Sequence, residues 1–256
     1  MSAEAFETVQ RAITSVRPDV VINCIGIVKQ AAAAHDAITS ISINSLLPHR
    51  LAALCRTEGA RLIQISTDCV FSGRAGRYTE DDLPDPVDLY GRSKLLGEVA
   101  DGDCLTVRTS IVGRELVGAN GLLEWFLAQE GSVRGFRRAI FSGLTAEALA
   151  RLLAAVVCDH RGLTGIRHVA AQPISKFDLL CMLKRAYHAP LEIVPDDEFV
   201  CDRSLDARKF EHDTQVRGRD RPFGRPVAPR PRGHSATSWS RCTARRTSTW
   251  RAACAP

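Results

Sequence analysis

An α/β fold built on a parallel sheet is predicted by three features of the sequence. The apolar run 61–65 stops abruptly at Ser66 and Thr67, which is typical of a buried parallel strand whose carboxyl end presents polar groups. A second apolar run, 19–26, has a proline before it and a glycine at its end. Before this second run, apolar residues recur at helical spacing. Strands that alternate with helices favour a parallel sheet with helices packed on it.

The elements can be predicted in order along the chain. The first is a helix marked by Ala5, Phe6, Val9, Ile13 and Val16. After the two strands already described, further strands are predicted over 104–109 and 165–170. An apolar helix follows residue 121. Two more helices carry amino-terminal capping signals: Thr145 before 146–157, and Ser175 with Asp178 before 176–187.

Tyr90 and Lys94 lie four residues apart in a segment that predicts another helix. On a helix this spacing places both side chains on one face, so that the lysine ammonium can lie beside the phenol and favour its ionised form. Taken alone, the pair is more typical of an amphipathic surface helix with one half-buried tyrosine. The context favours a proton donor, because Thr67 ends a buried strand upstream.

Together, Thr67, Tyr90 and Lys94 resemble the hydroxyl, tyrosine and lysine triad of the extended short-chain dehydrogenase/reductases. The residues of several motifs resemble those of the dTDP-4-dehydrorhamnose reductase branch, whose members act on nucleotide-linked sugars. The resemblance covers residues 3 to about 210, and these motifs carry it: 18–23, Asn44, 66–73, 78–80 and 90–98. It implies a Rossmann-like parallel sheet with a small α/β substrate lobe.

The same resemblance implies a mechanism, namely hydride transfer from NADPH or NADH to a sugar carbonyl. Tyr90 would protonate the carbonyl oxygen, Lys94 would lower the tyrosine pKa and bind the nicotinamide ribose, and Thr67 would orient the carbonyl. A cofactor-binding segment would pass under the dinucleotide, and it consists of Asn23, Cys24, Ile25 and Gly26. Asn44 would lie on the adjacent helix. Asn23 could instead close a strand, and Asn44 could be an exposed helix residue.

The residues that follow Thr67 distinguish enzymes of this superfamily that catalyse different reactions. Sugar-nucleotide 4,6-dehydratases resemble Thr-Asp-Glu at this point, where the carboxyls act as acid and base. This chain has Thr67, Asp68 and Cys69, and a thiol cannot replace the glutamate. Reduction is therefore favoured over dehydration or epimerisation.

One expected motif of the resemblance is absent from the sequence. A dinucleotide-binding domain opens with a strand, a G-x-x-G-x-x-G turn and a helix, whereas this sequence enters a helix at once. We therefore expect the first βαβ unit, ~30 residues or more, to be lacking. Residues 20–25 would then form an unpaired edge, and dinucleotide affinity would be weak. Two functions stay open: a reductase with an incomplete sequence, or a non-catalytic remnant that binds a sugar nucleotide or nothing.

Three regions are predicted. Residues 1–113 form a partial NAD(P)-binding region with the catalytic segment, and 114–215 supply the remaining sheet elements and the substrate lobe. Residues 216–256 contain ten arginines, one acidic residue and no lysine, leucine or isoleucine, so this tail carries +9 against −4 for the rest. A frameshift product is favoured, a solvated tail and a nucleic-acid arm are the alternatives, and all three predict disorder.

The composition indicates a cytoplasmic protein without a membrane span. Six cysteines are predicted to be mostly buried thiols in a reducing compartment: Cys24, Cys55, Cys69, Cys104, Cys158 and Cys181. No cysteine and histidine stand at metal-ligand spacing, so no metal site is predicted. The expected partner is a nucleotide-sugar substrate, nucleic acid is disfavoured, and a homodimer is open as an assembly.

Overall fold

The structure is a computed structural model, and it describes residues 5–29, 36–115 and 120–216. The tail predicted to be disordered therefore lies, from residue 217 on, outside the described residues. The helices are α1 Phe6–Val16, α2 Ala37–Ser40, α3 Leu47–Glu58, α4 Leu89–Leu96, α5 Leu122–Leu127, α6 Ala146–Asp159, α7 Lys176–Tyr187 and α8 Arg208–Thr214. The strands are β1 Val20–Asn23, β2 Arg61–Ile65, β3 Leu105–Arg108, β4 Ile111–Val112, β5 Ser132–Phe136, β6 Ala139–Phe141, β7 Leu144–Thr145, β8 Gly165–His168, β9 Ile174–Ser175, β10 Glu192–Asp196 and β11 Cys201–Asp202.

The main sheet consists of four parallel strands in the order β1-β2-β3-β8. The predicted α/β fold with a parallel sheet is thus confirmed. Within the described residues β1 pairs only with β2 and forms the edge of this sheet. Ile22 on that edge is 41% exposed, whereas Val20 and Val21 pack against the cores on the two faces of the sheet, so the apolar face expected to be uncovered is partly covered.

Helices cover both faces of the sheet, because successive side chains of each strand point to opposite sides. On one face α1 and α3 pack against Leu62 of β2, and on the other α6 and α8 pack against Ile63 and Ile65. Polar groups replace apolar ones at the carboxyl ends of the strands, where Gln64, Arg108 and His168 are buried. This change from apolar to polar marks the edge at which the candidate site lies.

A second lobe follows β3 in the chain. It contains the parallel pair β5 and β10, the three-stranded sheet β11-β6-β9, and the pair β4 and β7. Helices α5 and α7 close its core around Phe126, which is fully buried, and Leu179. The main sheet contains strands from both of the regions predicted from the sequence. Strands β1, β2 and β3 lie in 1–113, and β8 lies in 114–215.

Local signals predicted the helix starts well. Thr145 accepts a hydrogen bond from the Ala148 amide, and Ser175 accepts one from the Asp178 amide. The burial expected for the cysteines was wrong for two of them: Cys24 and Cys158 are exposed, because they lie on an edge segment and on the outer side of α6.

Over the described ranges, no helix combines the length and the apolar character that a membrane span requires.

Candidate active site

Helix α4 carries the predicted tyrosine and lysine, and its start is fixed by Asp88. The Asp88 carboxylate accepts a hydrogen bond of 2.7 Å from the Gly91 amide and lies 2.7 Å from Lys29 Nζ. Burial would raise the pKa of Asp88, but the Gly91 amide and the Lys29 ammonium outweigh it and hold that pKa below its usual value. With the helix start set, Tyr90 and Lys94 fall on one face, as predicted.

Thr67 lies at the carboxyl end of β2, where the strand turns into a short 3₁₀ helix, Asp68–Val70. Its Oγ1 caps this turn by accepting a hydrogen bond of 3.2 Å from the Cys69 amide. Gly91 of α4 packs directly on this segment, since a Cβ there would clash with the Cys69 carbonyl oxygen. This close approach places the Tyr90 hydroxyl beside the Thr67 side chain, which acts to lower the Tyr90 pKa.

Lys94 is 6% exposed, and its Nζ donates a hydrogen bond of 2.7 Å to the Ile65 carbonyl oxygen. Burial lowers the pKa of Lys94 to about 8, although the Glu98 carboxylate and, after it, Cys24 act in the opposite direction. The lysine is thus held at the end of β2, within the field of both groups. At neutral pH it still carries its proton in most molecules.

The pKa of Tyr90 differs from the expectation. Burial raises it above its ordinary value, Cys69 adds to this effect, and the hydrogen bond with Thr67 opposes it. Lys94 is not among the causes of this shift, and its ammonium is hydrogen bonded to the Ile65 carbonyl oxygen. In this arrangement Tyr90 is a protonated phenol at neutral pH rather than a partly ionised one.

The four residues of the predicted cofactor-binding segment differ in their exposure. Cys24, Ile25 and Gly26 are exposed, and a Cβ on Gly26 would lie 3.7 Å from Lys94 Nζ. The Asn23 side chain points inward instead, donating a hydrogen bond of 2.7 Å to Gln64 and accepting one from the Ile25 amide. The residues 24–26 therefore pass over Lys94, while Asn23 closes the strand and shapes the turn.

Asn44 also lies beside the residues 24–26 and Lys94, although the sequence left its role open. It lies in a π-helical turn, Ile41–Leu46, and is 1% exposed. Its amide bonds the backbone N–H and C=O of Ile27 and donates to Ser93 Oγ at 3.2 Å. Asn44 thus ties the loop after β1 to helix α4, and the alternative of an exposed helix residue is wrong.

Sequence reasoning missed a buried ionic network beneath the site. Glu98 and Arg108 form an ion pair of 2.7 Å, with side chains 5% and 3% exposed. Arg108 Nη1 also lies 3.3 Å from His168 Nε2, and His168 Nδ1 lies 2.9 Å from the Tyr78 carbonyl oxygen. Burial lowers the pKa of His168 to about 4, and the Arg108 charge adds to this effect.

A cavity of about 340 Å³ opens between this site and the second lobe. Asp68 and Cys69 line it on the side of the main sheet, and Phe141, Lys176 and Arg203 line it on the lobe side. Arg203 is held in place by a hydrogen bond of 2.8 Å from Nε to the Phe71 carbonyl oxygen. Two cationic side chains beside an aromatic ring suit an anionic ligand with a planar part.

A parallel α/β sheet with a hydroxyl, a tyrosine and a lysine at its carboxyl edge defines the class of the protein, that of the extended short-chain dehydrogenase/reductases. A sequence model of one family in this class, described as the RmlD substrate binding domain, matches residues 1–198. The chain belongs to this family.

Individual relatives agree with this assignment. A dTDP-4-dehydrorhamnose reductase of Burkholderia thailandensis is 39% identical over 111 residues, which span 41% of this chain and 37% of the relative. A hypothetical dTDP-4-dehydrorhamnose reductase of Sulfolobus tokodaii has a structure that is 28% identical, covering 86% of this chain and 81% of that one, with a TM-score of 0.73. The Bacillus anthracis dTDP-4-dehydrorhamnose reductase, solved in complex with NADP, is 22% identical over 77% of this chain and 72% of its own and shares the fold, with a TM-score of 0.67. The matched segment thus spans little more than a third of the first of these relatives.

Proposed function

We propose that this chain reduces the keto group of a nucleotide-linked sugar with NADPH or NADH, as a dTDP-4-dehydrorhamnose reductase does. The observation that carries the proposal is the convergence of Thr67, Tyr90 and Lys94 at one edge of the sheet, beside a cavity whose lobe side carries Lys176 and Arg203. The family membership and the names of the relatives support the same reaction. A cytoplasmic location and a homodimer stay predictions.

The residues present fit one end of a nicotinamide dinucleotide. The exposed turn 24–26 lies over Lys94, and Gly26 leaves room there that a side chain would fill. Lys94 and Tyr90 would hold the nicotinamide ribose, and Cys24, Ile25 and Gly26 would border it. When bound, the cofactor supplies the hydride. The sequence contains no glycine-rich phosphate turn, so we expect the affinity of this chain to be weak.

The chain's own residues would handle the proton. Thr67 would donate a hydrogen bond to the substrate carbonyl and orient it toward Tyr90. Tyr90, whose raised pKa keeps the phenol protonated, would give its proton to the oxygen as negative charge develops there. Lys176 and Arg203 would bind the diphosphate of the nucleotide sugar across the cavity.

The test is a reductase assay on the 256-residue chain with a dTDP-linked 4-keto sugar and millimolar NADPH or NADH, followed by nicotinamide absorbance. Tyr90→Phe should lower kcat by ~10²–10⁴-fold, the usual contribution of a positioned acid, with little change in cofactor affinity. Tyr187→Phe, in the lobe core, is the matched control and should keep full activity. Equal turnover by Tyr90→Phe and the parent chain would remove Tyr90 as the acid. Binding of the sugar nucleotide without any turnover would favour the alternative of a non-catalytic binding protein.

A further inference from the structure

Glu98 is the residue through which the buried ionic network reaches the candidate site. It follows α4 directly, and its Oε1 accepts hydrogen bonds from Ser66 Oγ at 2.6 Å and from Arg108 Nε at 2.9 Å. Its Oε2 accepts a third from Arg108 Nη2 at 2.7 Å. The carboxylate is therefore bonded on both oxygens, and one of its partners is the residue immediately before Thr67.

Lys94 and Glu98 bind consecutive residues of the same strand end. Lys94 Nζ bonds the carbonyl oxygen of Ile65, and Glu98 bonds the hydroxyl of Ser66. Gly97 between them lets the end of α4 approach the π-helical turn, since a Cβ there would clash with the Asn44 carbonyl oxygen. Helix α4 and the end of β2 are thus joined at two successive points.

We infer that Glu98 is a positioning residue, which together with Arg108 holds Ser66, and with it Thr67, in place against α4. The inference rests on the proposed function for its effect on turnover, but not for its effect on the structure of the site. Arg108 is itself anchored to β8 through His168, so the carboxylate is supported from two further strands of the sheet.

The network requires a carboxylate at this position. All three groups that face Glu98 are donors in this arrangement, namely the Ser66 hydroxyl and two N–H groups of Arg108. A glutamine amide would place N–H against at least one of these donors in either orientation, and it would leave the arginine charge unpaired in a buried place. Ser66→Ala is milder, since Oε1 would still be bonded by Arg108.

Two variants separate positioning from bulk stability. Glu98→Gln should lower kcat by ~10–100-fold, because small displacements of reacting groups are costly, while KM for the sugar nucleotide changes little. It should also move the alkaline limb of the pH profile of kcat, where Lys94 loses its proton, to lower pH. The reason is that the Glu98 charge raises the pKa of Lys94, and the variant removes this charge while the other group that faces Lys94, Cys24, is unchanged. Ser66→Ala should lower kcat several-fold and leave that limb in place. Glu147→Gln, in the exposed pair with Arg151, is the control and should alter neither.

A second measurement does not depend on turnover. Amide hydrogen exchange at 66–69 should accelerate at least tenfold in both Glu98→Gln and Ser66→Ala, whereas the Asp178 amide at the start of α7 should keep its rate. If the parent chain has no activity, the proposed function fails, and the exchange data alone decide the inference. If Glu98→Gln does not fold, Ser66→Ala decides it. Unchanged exchange at 66–69 in Ser66→Ala, or an unchanged kcat and pH profile in a folded Glu98→Gln protein, would overturn the inference.

Discussion

Gly91→Ala tests whether the contact between α4 and the 3₁₀ turn positions Tyr90. A Cβ added at Gly91 would lie 2.9 Å from Pro86 Cβ and closer still to the Cys69 carbonyl oxygen. Ordinary contacts of a Cβ begin near 3.4 Å, so the helix must retreat by about 0.5 Å from Pro86 and by more from Cys69. Neither neighbour is the end of a flexible side chain, and neither can simply turn away.

The expected cost follows from that displacement. Overpacking of this kind destabilises by about 1–3 kcal/mol, while the better helix propensity of alanine returns at most about 1 kcal/mol. Because Tyr90 is the neighbouring residue, the same retreat lengthens its contact with Thr67, and a displacement approaching 1 Å lowers turnover by roughly 10²-fold. We therefore expect a net destabilisation of about 1–2 kcal/mol and a much larger relative loss of kcat.

The assay is urea unfolding followed by far-UV circular dichroism, together with the reductase assay. Gly162→Ala is the matched control, because a Cβ there meets no atom within 4 Å and its backbone is not left-handed. The control should be neutral or slightly stabilising. If Gly91→Ala were as stable and as active as Gly162→Ala, the close approach of α4 to Cys69 would not be what positions Tyr90.

Three further predictions concern the surrounding structure. Asp88→Ala should cost about 1–2 kcal/mol of unfolding free energy by removing the cap on the Gly91 amide, whereas Asp88→Asn, which keeps a capping oxygen but loses the charge for Lys29, should cost less; urea unfolding of the two variants would measure the difference. His168 has a folded pKa of about 4 against an ordinary value of 6.5, so only the unfolded chain binds its proton between these values, and stability should fall as pH drops through that window. His168→Gln should therefore show a shallower loss between pH 6.5 and 4 in the same unfolding assay, and an unchanged slope would contradict the buried neutral imidazole. Phe126→Ala should destabilise by about 3–5 kcal/mol, because the ring is fully buried in the lobe core; a melting temperature equal to that of the parent chain would refute this packing.

The elements of the fold could be predicted from the sequence because their signals are local. The end of β2 at Ser66, the cap at Thr145 and the capping box at Ser175 each depend on residues within a few positions of one another. The i,i+4 spacing of Tyr90 and Lys94 likewise placed both on one helix.

The fine geometry of the site could not be predicted in this way. Glu98, Arg108 and His168 come from three elements separated by up to 70 residues, and no periodicity links them. The direction of Lys94 depends on a carbonyl oxygen, which every residue possesses and no sequence pattern marks. Burial is the largest cause of the pKa shifts of Tyr90 and Lys94, and it too depends on the folded chain rather than on any local sequence pattern.

The loop that follows the 3₁₀ turn is hydrogen bonded along the segment that ends the second lobe. The Asp202 amide donates to the Gly73 carbonyl at 2.7 Å, the Tyr78 amide to Ser204 at 2.9 Å, and the Asp206 amide to Tyr78 at 2.7 Å. Cys69 and Arg203, which both line the cavity and contact each other at 3.9 Å between Sγ and Nη1, lie next to this backbone ladder. Moving 202–206 away from 73–78 would require these main-chain bonds to break together, so the backbone fixes this side of the cavity. Ligands that differ in size should therefore be distinguished by rigid exclusion, and changes in ligand preference should arise from replacing wall side chains rather than from hinge motion.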